Sequence, residues 1–131
     1  MTIPMWSLLA GIFLSYKWAF GALPFRLKQF GEVDFLHSRR QAENLVDAGS
    51  SVVGAQFNAW EVLSIFGVAN LIAFMSGLDA IGYWSIAAMV WVVARFFHGV
   101  FYIVNIPVLR IICFYIGLGM SLWIAFMAAT I

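Results

Sequence analysis

Four long apolar stretches constrain this chain more than any other feature. They cover about residues 5–23, 50–76, 80–104 and 107–131. A helix needs roughly 20 apolar residues to cross a hydrocarbon core of about 30 Å at about 1.5 Å per residue. Only 10% of the 131 residues are charged, whereas soluble domains contain about a quarter. The sequence therefore predicts a single all-α integral membrane domain over residues 1–131 and excludes an ordinary soluble fold.

The connections between the spans predict how the helices are arranged. A polar segment, residues 25–49, separates the first two spans, whereas the later connections are short, at 77–79 and at Asn105. Short connections make neighbouring helices antiparallel, so we expect an up-down four-helix transmembrane bundle. Pro24 ends the first span, and Pro107 begins the last, where a missing N–H is no loss.

Basic residues predict the orientation in the membrane. Segment 25–49 contains the four basic residues Arg26, Lys28, Arg39 and Arg40, while the turn at 77–79 and both termini contain none. The positive-inside rule then places segment 25–49 in the cytoplasm and both termini outside. The net charge is only +1, so nothing indicates a nucleic acid partner.

Two charged residues lie deep within the predicted spans. A charge in this position costs about 2.5–3.5 kcal/mol on insertion scales, so each requires a partner or a function. By the helical rise, Glu61 lies about 16 Å from Ser50, and Arg95 lies about 15 Å from Asn105. Because both distances start at the cytoplasmic ends, the sequence predicts a buried Glu61–Arg95 ion pair.

Helical spacing adds further polar residues to this level. Asn58 and Glu61 share one helix face, and so do Arg95, His98 and Tyr102. The neighbouring polar candidates are Gln56, beside Asn58, and Arg110, in the first turn of the last span. Two interpretations stay open. The side chains either satisfy one another and hold the helices together, or they bind a carboxylate-bearing solute, which arginine and asparagine suit.

Three other residues have simpler interpretations. His37 is expected to be a solvated loop residue, and we predict no metal site because no second ligand stands at metal spacing. Lys17 lies about 10 Å before Pro24, within reach of the cytoplasmic interface. Cys113 is the only cysteine. It is expected to serve packing, because the sequence places nothing next to it that would favour a thiolate.

Several short motifs in a fixed order resemble the MAPEG family, the membrane-associated proteins in eicosanoid and glutathione metabolism. They are AQFNAWE at 55–61, ARFFHGVFY at 94–102 and Leu109-Arg110, with TIP at 2–4 and RLKQFG at 26–31. The resemblance covers nearly the whole chain, and the bacterial branch is the most similar. It implies a homotrimer in a bacterial inner membrane that binds glutathione between subunits near the cytoplasmic face. It also implies transferase or peroxidase activity on lipophilic substrates.

The resemblance assigns roles to residues and also shows departures. It implies that Arg110 is the catalytic arginine, which stabilises the thiolate of glutathione, as a nearby positive charge would. The positions it implies for glutathione binding are Arg26, Gln56, Asn58, Glu61, Arg95, His98 and Tyr102. Ser51 and Gly54, however, occupy positions where family members have arginines. Because glutathione has two carboxylates, the loss of two guanidinium partners weakens its binding.

Two functions therefore compete. The first is a glutathione-dependent transferase or peroxidase that acts on lipophilic electrophiles in the membrane. The second is a non-catalytic scaffold or accessory subunit of a larger membrane complex, which Ser51 and Gly54 favour. Small residues at 54, 55 and 59 also favour it, because they permit close helix contact. A channel or transporter is disfavoured, since the spans offer no continuous polar path.

Overall fold

The computed structural model describes residues 1–131, and all of its regular secondary structure is helical. The six helices are α1 (Ile3–Gly21), α2 (Leu23–Phe30), α3 (Ser38–Glu43), α4 (Asp47–Met75), α5 (Tyr83–Ile103) and α6 (Pro107–Ala129). Four segments are long and apolar enough to cross a membrane: α1 together with α2, then α4, α5 and α6. The predicted all-α, four-helix architecture is confirmed.

The segment expected to be a polar loop, residues 25–49, is largely helical. Pro24 lies in the first turn of α2, where the helix loses no hydrogen bond through its missing N–H. The segment then contains the rest of α2, all of α3 and the start of α4, which begins at Asp47. The sequence pattern did not show these short helices, because they lack a long apolar repeat.

Side-chain hydrogen bonds hold this segment against the end of the bundle. The amide group of Gln29 donates to the carbonyl of Asn44 (2.8 Å) and accepts the backbone N–H of Val46 (3.1 Å). The guanidinium of Arg26 is buried and donates to the hydroxyl of Ser38 (2.7 Å). The segment is therefore an ordered layer that connects α1 to α4.

Residues with positive φ form the two short connections. Between α4 and α5, Gly77 and Gly82 have φ angles of 78° and 95°, in a region that glycine adopts at little cost. Between α5 and α6, Asn105 has a φ of 58°, and asparagine tolerates the left-handed conformation better than most residues. These turns reverse the chain within a few residues, so α4, α5 and α6 run up and down as antiparallel neighbours.

The four long helices enclose an apolar core near the α4–α5 turn. Helices α1 and α6 lie on opposite sides of α4 and α5, and α4 also contacts α5. The rings of Phe66 and Trp91 stack with centroids 3.9 Å apart, and both are fully buried beside Val62 and Ile124. This core leaves the other half of the bundle, toward segment 25–49, for the polar residues.

Candidate functional site

Arg95, from α5, is the centre of the polar half of the bundle. Its side chain is only 4% exposed, and its Nη2 donates to Oδ1 of Asn58 on α4 (2.5 Å) and to Nδ1 of His98 (3.3 Å). Because an arginine can only donate, Nδ1 of His98 accepts, and the imidazole is neutral with its proton on Nε2. Asn58, Arg95 and His98 thus form one hydrogen-bonded group between α4 and α5.

A second group extends this one toward α6. The guanidinium carbon of Arg110 lies 4.5 Å from the ring centroid of Tyr102, in cation–π contact. The ring of His98 lies 5.8 Å from that of Tyr102 and 6.3 Å from that of Phe114, so contacts through His98 and Tyr102 connect the two arginines. We call Asn58, Arg95, His98, Tyr102 and Arg110 the polar layer. It crosses the bundle from α4 through α5 to α6.

The hydrogen bonds of Arg95 are incomplete. Its Nε and Nη1 atoms are buried and have no hydrogen-bond partner. Its side chain lies against α6, where Cδ is 3.1 Å from the position that a Cβ at Gly117 would take. A buried donor without a partner costs about 1–3 kcal/mol, and more when it is charged. The guanidinium therefore has unused capacity to stabilise negative charge.

The predicted Glu61–Arg95 ion pair is wrong. Glu61 is exposed on the outside of α4, and no lysine or arginine pairs with a carboxylate; Nδ1 of His37 lies 3.3 Å from the Asp34 carboxylate in segment 25–49, an ion pair only when the imidazole is protonated. The helical rise predicted the depth of Glu61 but not its direction. Residues three apart differ by about 60° around a helix, and Asn58 is the one that faces Arg95. The partner of the arginine is therefore a neutral amide.

Two more of the candidate residues lie outside the polar layer. Arg26 is engaged by Ser38 at the end of the bundle, and its Nε has no partner. Gln56 is half-buried on α4 and makes no side-chain hydrogen bond to the polar layer. The structure therefore brings together Asn58, Arg95, His98, Tyr102 and Arg110, but leaves Arg26, Gln56 and Glu61 apart from them.

Glycines that face the polar layer were not predicted as part of the site. A Cβ at Gly54 would lie 2.6 Å from the hydroxyl oxygen of Tyr102, so the phenol fills the space in front of this glycine. Gly117 likewise leaves room for Arg95. Of these two glycines, only Gly54 had been noted in the sequence, among the small residues at 54, 55 and 59 that permit close helix contact. The polar side chains fit between the helices because these two positions have no side chain.

The fold and this site together define a class of protein. The chain is an integral membrane protein, a bundle of four membrane-spanning helices with a layer of buried and half-buried polar residues near one end. The sequence pattern of the MAPEG family matches residues 2–130, and the chain belongs to the MAPEG family. Comparison with curated proteins finds no match, and comparison with solved structures finds none either.

Proposed function

We propose that this protein is a glutathione-dependent membrane enzyme, a transferase or peroxidase that acts on lipophilic electrophiles. The observation that carries the proposal is the position of Arg110. Its guanidinium is half-buried at the start of α6, lies on the ring of Tyr102 and has no carboxylate partner. A cation held in this way near the membrane surface suits an anionic ligand.

The residues present fit glutathione in part. The guanidinium of Arg110 has free N–H groups for a thiolate or a carboxylate, and the exposed carboxylate of Glu61 suits an ammonium group. Bound glutathione would supply a nucleophilic thiol. Arg110 would favour the charged form of that sulfur, because an adjacent positive charge stabilises an anion more strongly where water is scarce. Arg95 bonds to His98, and His98 packs against Tyr102. These contacts would hold the Tyr102 ring, and therefore Arg110, in position.

A homotrimer with its site between subunits is the second part of the proposal. Glu61 is exposed about 21 Å along α4 from Asp47, where a carboxylate facing hydrocarbon costs about 2.5–3.5 kcal/mol. A neighbouring copy that covers this face would remove the carboxylate from the lipid. We further propose a bacterial inner membrane location, with segment 25–49 in the cytoplasm and both termini outside, because the basic residues concentrate in that segment.

Calorimetric titration of the detergent-purified protein with glutathione tests the enzyme proposal. We expect saturable binding that weakens about 10- to 150-fold in Arg110→Gln, since a hydrogen bond to a charged group contributes about 1.5–3 kcal/mol. Arg40→Gln is the matched control, because Arg40 is an exposed arginine in segment 25–49 and its loss should leave binding unchanged.

Two results would reject the enzyme proposal. One is the absence of binding heat at millimolar glutathione in a protein that is folded and monodisperse. The other is equal binding by Arg110→Gln and the wild type, which would show that the ligand sits elsewhere. Native mass spectrometry of the same sample tests the trimer, and a protein that is monomeric in every mild detergent contradicts it.

A non-catalytic scaffold is the second candidate function, and two contacts favour it. Tyr102 occupies the space in front of Gly54, and Arg26 is engaged by Ser38, so few cations remain to meet the two carboxylates of glutathione. This candidate predicts that an affinity-tagged chain, extracted in mild detergent, purifies with a larger membrane complex at fixed stoichiometry. A free homo-oligomer in every mild detergent, together with glutathione binding, would contradict it.

A further inference from the structure

An apolar groove runs along the surface between α1 and α5. It has a volume of about 370 Å³, and all seven of its lining residues are hydrophobic. Phe13 and Leu14 belong to its α1 wall, and Phe96 and Phe97 belong to its α5 wall. Because both helices lie in segments long enough to cross the membrane, the groove faces lipid. A hydrocarbon chain is therefore the kind of group that it suits.

Lys17 lies at one end of this groove. Its side chain is exposed, and its Nζ atom lies 5.0 Å from the ring centroid of Phe96, which belongs to the groove wall. The same atom lies 4.9 Å from the ring of Trp18. Both distances are within the range of a cation–π contact. Two aromatic rings thus hold the ammonium group beside the groove.

The groove extends from Lys17 in one direction only, away from segment 25–49. Helices α1 and α5 run parallel, because the chain reverses twice between them. On α1, the lining residues Ala10 and Phe13 precede Lys17 by seven and four positions, which is about 10 and 6 Å along the helix. On α5, Val92 precedes Phe96 by four positions, again about 6 Å. The site therefore has a cation nearest the membrane surface and an apolar wall below it, the order found in an anionic amphiphile.

The charge of Lys17 has no counter-ion within the chain. No lysine or arginine pairs with a carboxylate, and the two rings that contact the ammonium group carry no net charge. A lysine within a membrane span is costly unless it is paired or reaches the interface. Anionic phospholipids concentrate in the cytoplasmic leaflet, and the basic residues of segment 25–49 indicate that this end of the bundle faces the cytoplasm. A phospholipid of that leaflet would supply the missing negative charge.

We propose that Lys17 and the α1–α5 groove form a binding site for an anionic phospholipid. The headgroup phosphate accepts a hydrogen bond from the ammonium group of Lys17, and one acyl chain lies along the groove. The rings of Trp18 and Phe96 position the ammonium group for this contact. The site shares no residue with the polar layer, so it does not rest on glutathione binding.

Native mass spectrometry of the detergent-purified protein tests this site, with phosphatidylglycerol and phosphatidylcholine of identical acyl chains added in equal amounts. We expect bound phosphatidylglycerol to exceed phosphatidylcholine by about fivefold, the effect of one lysine near an anionic lipid surface. Lys17→Gln should bring the ratio close to one. Lys28→Gln is the matched control, because Lys28 is an exposed lysine on α2 and its loss removes the same charge. This variant should retain most of the preference.

Two further measurements locate the acyl chain. Ala10→Phe fills the groove but leaves Lys17 in place, and it should lower the occupancy of phosphatidylglycerol severalfold. Phosphatidylglycerol with a photoreactive diazirine in one acyl chain should crosslink to peptides that contain residues 10–14 and 92–97. Circular dichroism and size-exclusion chromatography establish that each variant is folded.

Several outcomes would overturn the proposal. Equal binding of the two phospholipids, or a preference that survives in Lys17→Gln, would show that Lys17 does not select the headgroup. Displacement of phosphatidylglycerol by equimolar oleate would assign the site to free fatty acids instead. Crosslinks confined to other helices would place the chain elsewhere, and a changed oligomeric state in Ala10→Phe with unchanged lipid binding would show that a second copy covers the groove. Because glutathione is absent throughout, none of these results depends on the proposed enzyme activity.

Discussion

Replacement of Gly99 by alanine should destabilise the contact between α1 and α5. In the native structure the indole of Trp18 packs directly on Gly99. A Cβ at this position would lie 2.5 Å from Cε2 and 2.8 Å from Nε1, and it would overlap Cζ2. Carbon atoms in favourable contact are about 3.5–4.0 Å apart, so the indole must move by roughly 1 Å. Trp18 is buried, and its rigid ring cannot bend away as a flexible side chain would.

The size of the effect follows from two opposing contributions. Overpacking costs about 1–3 kcal/mol, and an overlap with a rigid ring belongs at the upper end of that range. Alanine in place of glycine within a helix stabilises that helix by about 1 kcal/mol. We therefore expect Gly99→Ala to lower the free energy of unfolding by about 2 kcal/mol. Reversible unfolding in mixed micelles, with SDS as the denaturant and circular dichroism as the signal, measures this value.

Two further variants separate the clash from other effects. Gly119 also lies within a helix, but a Cβ there would meet nothing within 4 Å, so Gly119→Ala should stabilise by up to about 1 kcal/mol. Phenylalanine lacks the fused ring of Trp18 that meets Gly99. In a Trp18→Phe background, Gly99→Ala should therefore cost little, which gives a coupling energy of about 2 kcal/mol. If Gly99→Ala proves as stable as Gly119→Ala, the argument from close packing fails.

Three smaller predictions concern hydrogen bonds. Asn70→Leu removes the acceptor of the buried Trp84 indole N–H (2.8 Å) and should cost about 1–2 kcal/mol in the same unfolding assay; an equal cost in a Trp84→Phe background would contradict this. In segment 25–49, the backbone N–H of His37 holds the pKa of the Asp34 carboxyl below its ordinary value of 3.8. The stabilisation by this contact is therefore present above the ordinary pKa and lost as pH falls through the lowered one. Faster amide exchange at His37 in Asp34→Asn at neutral pH would verify the contact, and unchanged exchange would refute it. Gln29→Leu removes the bonds to residues 44 and 46 and should speed proteolysis of segment 25–49 severalfold, with unchanged cleavage counting against the proposed anchoring.

Part of the polar layer was predictable because helices impose simple geometry. The spacing of Arg95, His98 and Tyr102 placed them on one face of α5, and the helical rise brought Asn58 to the same depth on α4. The partner of Arg95 was not predictable in this way, because a difference of about 60° around α4 decides between Asn58 and Glu61. The family resemblance did not resolve the choice between Asn58 and Glu61 either. It assigns both residues to the site but does not say which of them faces Arg95 within one chain.

The sequence by itself determined that this chain is a membrane bundle of four helices, and its motifs determined the family. Whether a segment crosses the membrane depends on its own length and composition, and a family motif depends on the order of residues along the chain. Neither requires knowledge of which helices pack together. Only the tertiary structure decided that segment 25–49 is largely helical, that Tyr102 covers Gly54 and that Arg95 lies against α6 at Gly117. Each of these depends on which sides of two helices meet, and that is settled by the packing of all of them together.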